Sequence, residues 1–205
     1  MDIASQKTFM RKHALEARRA LPSDLRASLS QKACTRMLDA LDARLKLAGE
    51  RPPLIALYRS MKSELDATCL VERLYARGAR VALPCTRGPQ RMDFMEVSEQ
   101  DWRDATIDFL AHPGRFFPDQ NFPGLSAVSP EAFDAVVVPG AAFDEGGMRL
   151  GLGAGCYDAF LSQVREDCLV AGIAFDEQIC EGIPTEAHDR RMDIVVTPTR
   201  TIIPA

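Results

Sequence analysis

Apolar residues recur at helical spacing through the first part of the chain. From Met10 to Leu21 they occupy positions i, i+4, i+7 and i+11, which predicts a helix over residues 6–21. A second apolar stripe predicts a longer helix that begins at Ser23, its expected N-cap, and ends near Leu45. Each helix therefore presents one face to a hydrophobic core.

Short apolar and β-branched runs predict strands further along the chain. The buried runs are residues 54–58, 81–83, 136–138, 169–174 and 194–197, while residues 92–97 alternate like an edge strand and residues 201–203 are a possible edge. A third helix, capped by Asp66 and stopped by Gly78, separates the first two strands. This alternation predicts one α/β domain over residues 1–205 with a mixed to parallel sheet. Residues 101–130 show no clear periodicity, which predicts an irregular segment.

The composition narrows the class of protein. A formal charge of −4 and a pI near 5.5 argue against general nucleic-acid binding, which needs a basic face. No apolar run reaches the length of a membrane span and the N-terminus lacks a signal-peptide core, so we expect a cytoplasmic protein outside membranes. The six cysteines form no CxxC pair, which argues against a zinc site and favours free thiols. We expect a monomer that acts on small molecules.

The stretch VVVPGAAFDEGGMRLGLGAGCYDAFL, residues 136–161, runs from an apolar strand through a glycine-rich loop into a predicted helix. Gly151, Gly153 and Gly155 lack Cβ atoms, so backbone N–H groups can approach an anion closely, and the helix dipole adds to this. Arg149 upstream adds a positive charge, and Asp158 downstream can hold a cation beside phosphates. The spacing is neither that of a Walker loop nor that of a dinucleotide-binding loop. It predicts a different phosphate site; the alternative is a tight turn without a ligand.

Basic residues on the first predicted helix are further candidates for anion binding. Lys7, Arg11 and Arg18 lie at i, i+4 and i+11, within a narrow sector of the helix. Their charges either converge on one anion or form an ordinary solvated face.

The loop after residues 54–58 is a candidate substrate site, because open α/β sheets bind ligands beyond their strand ends. It offers Tyr58, Met61 and Glu64, although a lone loop Glu is often only solvated. Phenylalanines of the irregular segment either wall the same pocket or pin the segment to the body of the protein. They are Phe109, Phe116, Phe117 and Phe122.

Four blocks of the chain resemble 5-formyltetrahydrofolate cyclo-ligases. PGAAFDEGGMRLGLGAGCYDAFL resembles their signature PGxAFDxxGxRLGxGxGYYDxxL, and KTFMR, followed by the basic pair Arg18 and Arg19, resembles their opening KxxLR helix with Met for Leu. YRSMKSELDAT and FDEQICEGIPTEAHDRRMD resemble the second and the closing blocks. Two features depart from the pattern. Cys156 stands where the family usually has an aromatic residue, and FPGLSAVSP lacks the usual Glu-Pro element.

The resemblance implies a fold and an activity. The fold would be a three-layer α/β/α arrangement similar to that of ribose-5-phosphate isomerase and the coenzyme A transferases. The activity would be the ATP- and Mg²⁺-dependent conversion of 5-formyltetrahydrofolate to 5,10-methenyltetrahydrofolate, with release of ADP and phosphate. The alternatives are a relative with the same ATP site and another small-molecule substrate, or a non-enzymatic folate- or nucleotide-binding regulator.

Site residues follow from the loops and the resemblance together. The ATP-binding set is Lys7, Arg11, Arg149, Gly151, Gly153 and Gly155, and the folate-binding set is Tyr58, Met61, Glu64 and Tyr157. Tyr157 and Arg149 are the expected catalytic residues, and Asp158 and Asp189 the expected magnesium ligands. Asp193 competes with Asp189 but is expected to orient backbone instead. His188 is either a proton carrier or a hydrogen-bonding spacer.

Overall fold

A computed structural model of the chain describes residues 2–47, 49–61, 63–104, 107–186 and 189–204, and these form a mixed α/β structure. The helices are α1 (Ile3–Ala20), α2 (Ser23–Leu45), α3 (Thr68–Ala76), α4 (Glu99–Asp104), α5 (Asp108–Ala111) and α6 (Cys156–Leu161). The strands are β1 (Leu54–Ala56), β2 (Arg80–Gly88), β3 (Arg91–Val97), β4 (Ala127–Val128), β5 (Ala135–Val138), β6 (Ala142–Asp144), β7 (Arg149–Leu150), β8 (Leu169–Ile173), β9 (Ile179–Cys180), β10 (Ile194–Val196) and β11 (Thr201–Ile202). None of the helices described is both long and apolar enough to cross a membrane.

The N-cap positions of the first three helices lie at or next to residues of the types that favour helix caps. Asp2 caps α1, because its side chain accepts a hydrogen bond from the N–H of Ser5. The prediction that Ser23 caps α2 is wrong by one residue: Pro22 holds the N-cap position and Ser23 begins the helix. Proline fits this boundary because its fixed φ suits the entry into a helix. For α3, the prediction that Asp66 is the cap is also wrong by one residue: Ala67 holds the N-cap position, and the Asp66 side chain accepts from the N–H of Thr68, the first helical residue, at 2.9 Å.

The large sheet has the strand order β11-β10-β8-β5-β1-β2-β3-β4. The run from β10 to β2 is parallel, while β11, β3 and β4 each pair antiparallel with a neighbour, which confirms the predicted mixed sheet. The predicted strands all appear, but β2 extends well beyond residue 83 and forms a long hairpin with β3. Pairing with β3 supplies the backbone hydrogen bonds that sustain this extension.

The sequence predicted that residues 101–130 are irregular, but the structure contains short regular elements there. They contain the end of α4, all of α5 and strand β4. α5 has four residues and β4 has two, so neither is long enough to display a hydrophobic period.

Two hydrophobic clusters cover the two faces of the large sheet and confirm the three-layer arrangement. On one face, α2 and α3 bury Met37, Leu41, Leu70 and Leu74 against side chains from β1, β2, β5 and β8. On the other face, Phe160 of α6 and Phe143 of β6 lie in a cluster with side chains of the same strands.

Strands β6, β7 and β9 form a small second sheet that the sequence did not predict. The stretch after Val138 is therefore not one continuous loop: a two-strand hairpin precedes the glycines, and Arg149 lies in β7. The Phe143 ring attaches this sheet to the large one, since a Cβ added at Gly140 or Gly172 would lie 2.7 or 2.5 Å from that ring. Met10 and Ala14 of α1 pack over its other side.

We expect Gly172→Ala to destabilise the protein by roughly 1–3 kcal/mol, because the new methyl group cannot be accommodated without moving the Phe143 ring. Urea unfolding would measure the loss. Gly182→Ala is the matched control, since a Cβ there meets nothing within 4 Å. Equal stabilities of the two variants would contradict the packing role of Phe143.

Candidate active site

A cavity of about 310 Å³ opens at the carboxyl ends of β1 and β5. This is the edge at which open α/β sheets bind ligands. We call it the strand-end cavity. Its lining includes most of the predicted site residues, namely Tyr58, Met61, Glu64, Arg149, Gly151, Gly155, Tyr157 and Asp158. The remaining predicted residues, Lys7, Arg11, Gly153 and Asp189, lie outside its lining.

Arg149 is held firmly in the cavity wall. Its buried guanidinium donates from Nη2 to Asp158 Oδ1 and from Nη1 to the carbonyl of Pro139 at 3.2 Å. Its Cζ also lies 5.5 Å from the centroid of the Tyr157 ring, within the range of a cation–π contact. Three expected site residues from β7 and α6 thus form one connected cluster.

The glycine loop has the backbone geometry that its composition predicts. Gly153 and Gly155 have φ values of 106° and 70°, a region that residues with a Cβ rarely adopt. A Cβ at Gly151 would lie 3.0 Å from Arg149 Nη1, so this glycine lets the guanidinium lie against the loop. The expected helix dipole is a smaller contribution, because α6 has only six residues.

Helix α1 brings two cations to the glycine loop and the closing block. Arg11 donates from Nε to the carbonyl of Gly151 at 2.8 Å, and its guanidinium lies beside Gly153. Lys7 Nζ donates to Asp189 Oδ2 at 2.9 Å and to Glu186 at 2.8 Å. Arg11 therefore lies next to the predicted phosphate loop and Lys7 next to the closing block, and neither side chain lines the cavity itself.

Arg18 fits neither interpretation of the basic residues on the first helix, which were convergence on one anion or an ordinary solvated face. It does not join Lys7 and Arg11, and it is not solvated, because the residue is only 4% exposed. Its Nη2 donates to Ser63 Oγ at 3.0 Å, in the loop that carries Glu64. Helical spacing correctly places Arg18 in the same sector of α1 as Lys7 and Arg11. That its side chain contacts a different loop depends on tertiary packing.

Glu64 is a buried carboxylate in the cavity wall, 8% exposed. Burial raises the pKa of its carboxyl, while a hydrogen bond from the Met61 N–H, at 2.9 Å, and the charge of Arg18 oppose that rise. It is therefore not the solvated loop residue of the alternative interpretation. Tyr58 beside it donates its hydroxyl to the carbonyl of Leu65 at 2.7 Å, so it offers a ligand its ring rather than its hydroxyl.

Tyr157 has a hydroxyl that is available to a ligand. Burial raises the pKa of this phenol far above its ordinary value, and the negative charge of Glu64 raises it further. Within the described ranges, no protein group is hydrogen-bonded to this hydroxyl. The group is thus a neutral donor on the cavity wall. Cys156, the departure from the family pattern, lines the cavity next to it.

The expected magnesium ligands occupy different surroundings. Asp158 lies on the cavity wall, whereas Asp189 Oδ2 is bound by Lys7 and by the N–H of Glu186. Asp193 pairs with Val170 through both its side chain and its backbone, which confirms that it orients backbone. His188 lies outside the described residues.

The donor set fits a magnesium ion that phosphates help to hold. Magnesium is commonly bound by one or two carboxylates together with substrate phosphates and water. Among the described residues there is no cluster of three or more His, Cys, Asp or Glu side chains that could hold a metal alone. Asp158, next to the glycine loop, fits a site in which a carboxylate holds the ion together with substrate phosphates.

Several cavity residues were missed or left open by the sequence. Of the four phenylalanines, only Phe116 lines the cavity, at 54% exposure, while Phe109, Phe117 and Phe122 are buried. Both interpretations of these rings are thus correct for different members. Further lining comes from Arg59, Pro84, Thr86, Met92, Pro113, Gly114 and Leu152. Extension of the β2–β3 hairpin past its predicted end brings in Thr86, and no local pattern signals that.

Two relatives of this chain carry the name of the family whose profile it matches. Residues 3–198 match the sequence profile of the 5-formyltetrahydrofolate cyclo-ligase family. The 5-formyltetrahydrofolate cyclo-ligase of Mycolicibacterium smegmatis is 30% identical over 197 residues, which cover 96% of each chain. That of Escherichia coli K12 is 29% identical over 192 residues, 90% of this chain and 96% of the relative.

A solved structure agrees with these relatives. The 5,10-methenyltetrahydrofolate synthetase of Aquifex aeolicus superimposes with a TM-score of 0.72 and 29% identity, covering 96% of this chain and 92% of its own. Two of the four matching blocks, the one that carries Glu64 and the one that carries the glycine loop, contribute residues to the lining of the strand-end cavity. With a family profile that spans nearly the whole chain, these findings show that the chain belongs to the 5-formyltetrahydrofolate cyclo-ligase family.

Proposed function

We propose that this chain converts 5-formyltetrahydrofolate to 5,10-methenyltetrahydrofolate with consumption of ATP, in the presence of Mg²⁺, and with release of ADP and phosphate. One observation carries the proposal. The strand-end cavity is lined by a buried carboxylate, Glu64. It is also lined by a cluster of Arg149, Tyr157 and Asp158, which lies beside a glycine loop. The first group suits a ring with hydrogen-bond donors, and the second suits phosphates.

The chemistry of the substrate explains why both groups are needed. The formyl oxygen of an amide is a poor leaving group. Its attack on the γ-phosphorus of ATP releases ADP and turns this oxygen into part of a phosphate ester. N10 of the folate then attacks the formyl carbon and loses its proton, and the carbon–oxygen bond breaks as phosphate departs. Transfer of this kind depends mainly on positioning and charge neutralisation.

The folate end of the cavity is built for hydrogen-bond donors. In its ionised form Glu64 can accept two parallel hydrogen bonds, from the 2-amino group and a neighbouring ring nitrogen of the pterin. Tyr58 and Met61, which line the same wall, offer apolar contact to the ring system. This division assigns orientation to one carboxylate and shape to its neighbours.

At the phosphate end, cations and backbone N–H groups neutralise charge. Arg149 has five N–H donors and uses only part of them on Asp158 and Pro139, so others remain for a phosphoryl oxygen. From α1, Arg11 supports the loop at Gly151 and Gly153 and Lys7 binds Asp189 of the closing block, and the charges of both favour bound ATP. Asp158 would hold magnesium, with Asp189 as the second candidate, and the ion would supply further charge neutralisation.

Tyr157 is proposed to contact the formyl oxygen. Tyr157 lines the cavity, and the centroid of its ring lies 5.5 Å from Arg149 Cζ. As the oxygen forms its bond to phosphorus, charge redistributes, and a hydrogen bond that strengthens at that moment accelerates the step.

We also propose that residues 1–205 act as one catalytic domain and as a monomer in the cytoplasm. All six cysteines are free thiols, which suits a reducing compartment.

An absorbance assay for methenyl formation tests the proposed function. Product should form only when 5-formyltetrahydrofolate, ATP and Mg²⁺ are all present, and ADP should appear in equal amount. A folded protein that forms no methenyl product under these conditions would overturn the proposal.

Cys156 favours one second candidate, a related enzyme with the same ATP site and another small-molecule substrate. This residue lines the cavity where the family usually has an aromatic ring. ATP turnover measured with a panel of folates separates the candidates. Turnover that responds to another compound, but not to 5-formyltetrahydrofolate, would favour the second one.

Tyr157→Phe should lower kcat by roughly a hundredfold, the size of effect seen when a single transition-state donor is removed. Stability should be almost unchanged, because the hydroxyl has no protein partner within the described part of the chain and the ring contacts remain. Steady-state kinetics and urea unfolding measure the two effects. Normal kcat with lost stability would show that the residue only packs.

Asp158→Asn should raise the Mg²⁺ concentration needed for half-maximal activity by roughly tenfold or more, since hard cations prefer charged oxygen ligands. Asp189→Asn should have a smaller effect, because Asp158 lines the strand-end cavity whereas Asp189 lies outside its lining. Activity titrated against Mg²⁺ gives both values. Asp193→Asn is the control: it should lower stability, and a magnesium defect in that variant alone would refute the assignment.

A further inference from the structure

Arg18 is a buried cation without a sufficient set of hydrogen bonds. The residue is 4% exposed, and its guanidinium donates one hydrogen bond, from Nη2 to Ser63 Oγ at 3.0 Å. Its Nε is buried and has no partner among the described residues. Burial of a charged group is costly unless another interaction compensates for it. The hydrogen bond to Ser63 alone does not account for this side chain.

The compensating interaction is with Glu64. The negative charge of Glu64 is the foremost group that favours the charged form of Arg18, against burial, which lowers the pKa of the guanidinium. In return, among the described residues Arg18 is the one charged side chain that lowers the pKa of the Glu64 carboxyl, which burial raises. The two side chains thus stabilise each other's charges within the protein interior.

The position of Arg18 also leaves Glu64 free for a ligand. Ser63 holds the guanidinium, and the two residues form no ion pair within 4.0 Å in the described structure. Glu64 Oε2 accepts from the Met61 N–H, and the carboxylate still lines the cavity. A direct Arg–Glu ion pair would occupy the acceptor oxygens of the carboxylate. A guanidinium held by Ser63, the residue next to Glu64, supplies positive charge without competing for those oxygens.

We propose that Arg18 is a positioning residue that keeps Glu64 ionised in its buried site, and thereby sets the affinity of the strand-end cavity for the donor edge of the folate ring. The inference rests on the proposed function. A protonated Glu64 would present its own donor to donors of the ligand, and one of the two parallel hydrogen bonds would be lost. Arg18 acts through Glu64 and does not line the cavity.

Other groups that face Glu64 do not replace this charge. Tyr58 and Tyr157 interact electrostatically with it, and burial raises the pKa of both phenols, so they stay neutral through ordinary pH. Arg149 lines the same cavity but is paired with Asp158. From α1, only Arg18 contributes to the pKa of Glu64.

The test measures the affinity for 5-formyltetrahydrofolate by calorimetry, without ATP, from mildly acidic to mildly alkaline pH. Arg18→Met removes the charge and keeps an apolar stem. Loss of the cation raises the pKa of Glu64, so binding should weaken at a higher pH than in the wild type. At the acidic end the Kd should be about tenfold above the wild-type value, and at the alkaline end the two curves should converge.

Arg19→Met is the matched control, because Arg19 is the exposed neighbour on the same helix. Its binding curve should follow that of the wild type. Arg18→Lys keeps a positive charge and should lie between the wild type and Arg18→Met. In the Glu64→Gln background, Arg18→Met should no longer change the pH dependence, since the titrating group is gone.

The outcomes separate this inference from the proposed function. A wild type that binds no 5-formyltetrahydrofolate would overturn the proposed function. A wild type that binds, with an unshifted pH curve in Arg18→Met, would overturn the inference alone, even if Tm falls. Should Arg18→Met fail to fold, Ser63→Ala decides: loss of its hydrogen bond to the guanidinium should shift the curve in the same direction, and an unshifted curve would refute the role.

Discussion

The packing of one aromatic ring, Phe143, fixes the geometry on which the phosphate side of the cavity depends. The ring lies so close to Gly140 and Gly172 that neither position has room for a Cβ atom. Protein interiors are close-packed and do not deform continuously, so this contact defines where the small sheet lies on the large one. Strand β7 belongs to that sheet and carries Arg149. The position of the Arg149 guanidinium at the strand ends therefore depends on the packing of Phe143 elsewhere in the small sheet.

Around the cavity, the charged groups are arranged so that each is compensated but not consumed. Arg149 binds Asp158, Lys7 binds Asp189, and Arg18 stabilises Glu64 without contacting its carboxylate directly. Groups held in a partly buried site interact with a ligand more strongly than they would in water. The same burial makes an unpaired charge costly, which explains why cations and carboxylates occur together in and around the cavity.

The elements that the sequence predicted well are those with long or strongly apolar patterns. The helices α1, α2 and α3 and the buried strands β1, β5, β8 and β10 were all anticipated, because periodicity reports which residues face a core. The β6–β7 hairpin and the short elements of residues 101–130 were not. Their strands and helices have two to six residues, too few to show a local pattern. The strands are stabilised by pairing with other strands, and the helices by packing against the core.

By itself, the sequence determined the α/β class, the glycine loop and the matching blocks of the family, because these are properties of residue type and local order. Only the tertiary structure decided which side chains meet. Arg18 and Arg11 lie on the same helix, yet one is buried beside Ser63 and the other binds the carbonyl of Gly151. Helical periodicity defines a direction around an axis, whereas partners 45 or 140 residues away are chosen by how the layers pack.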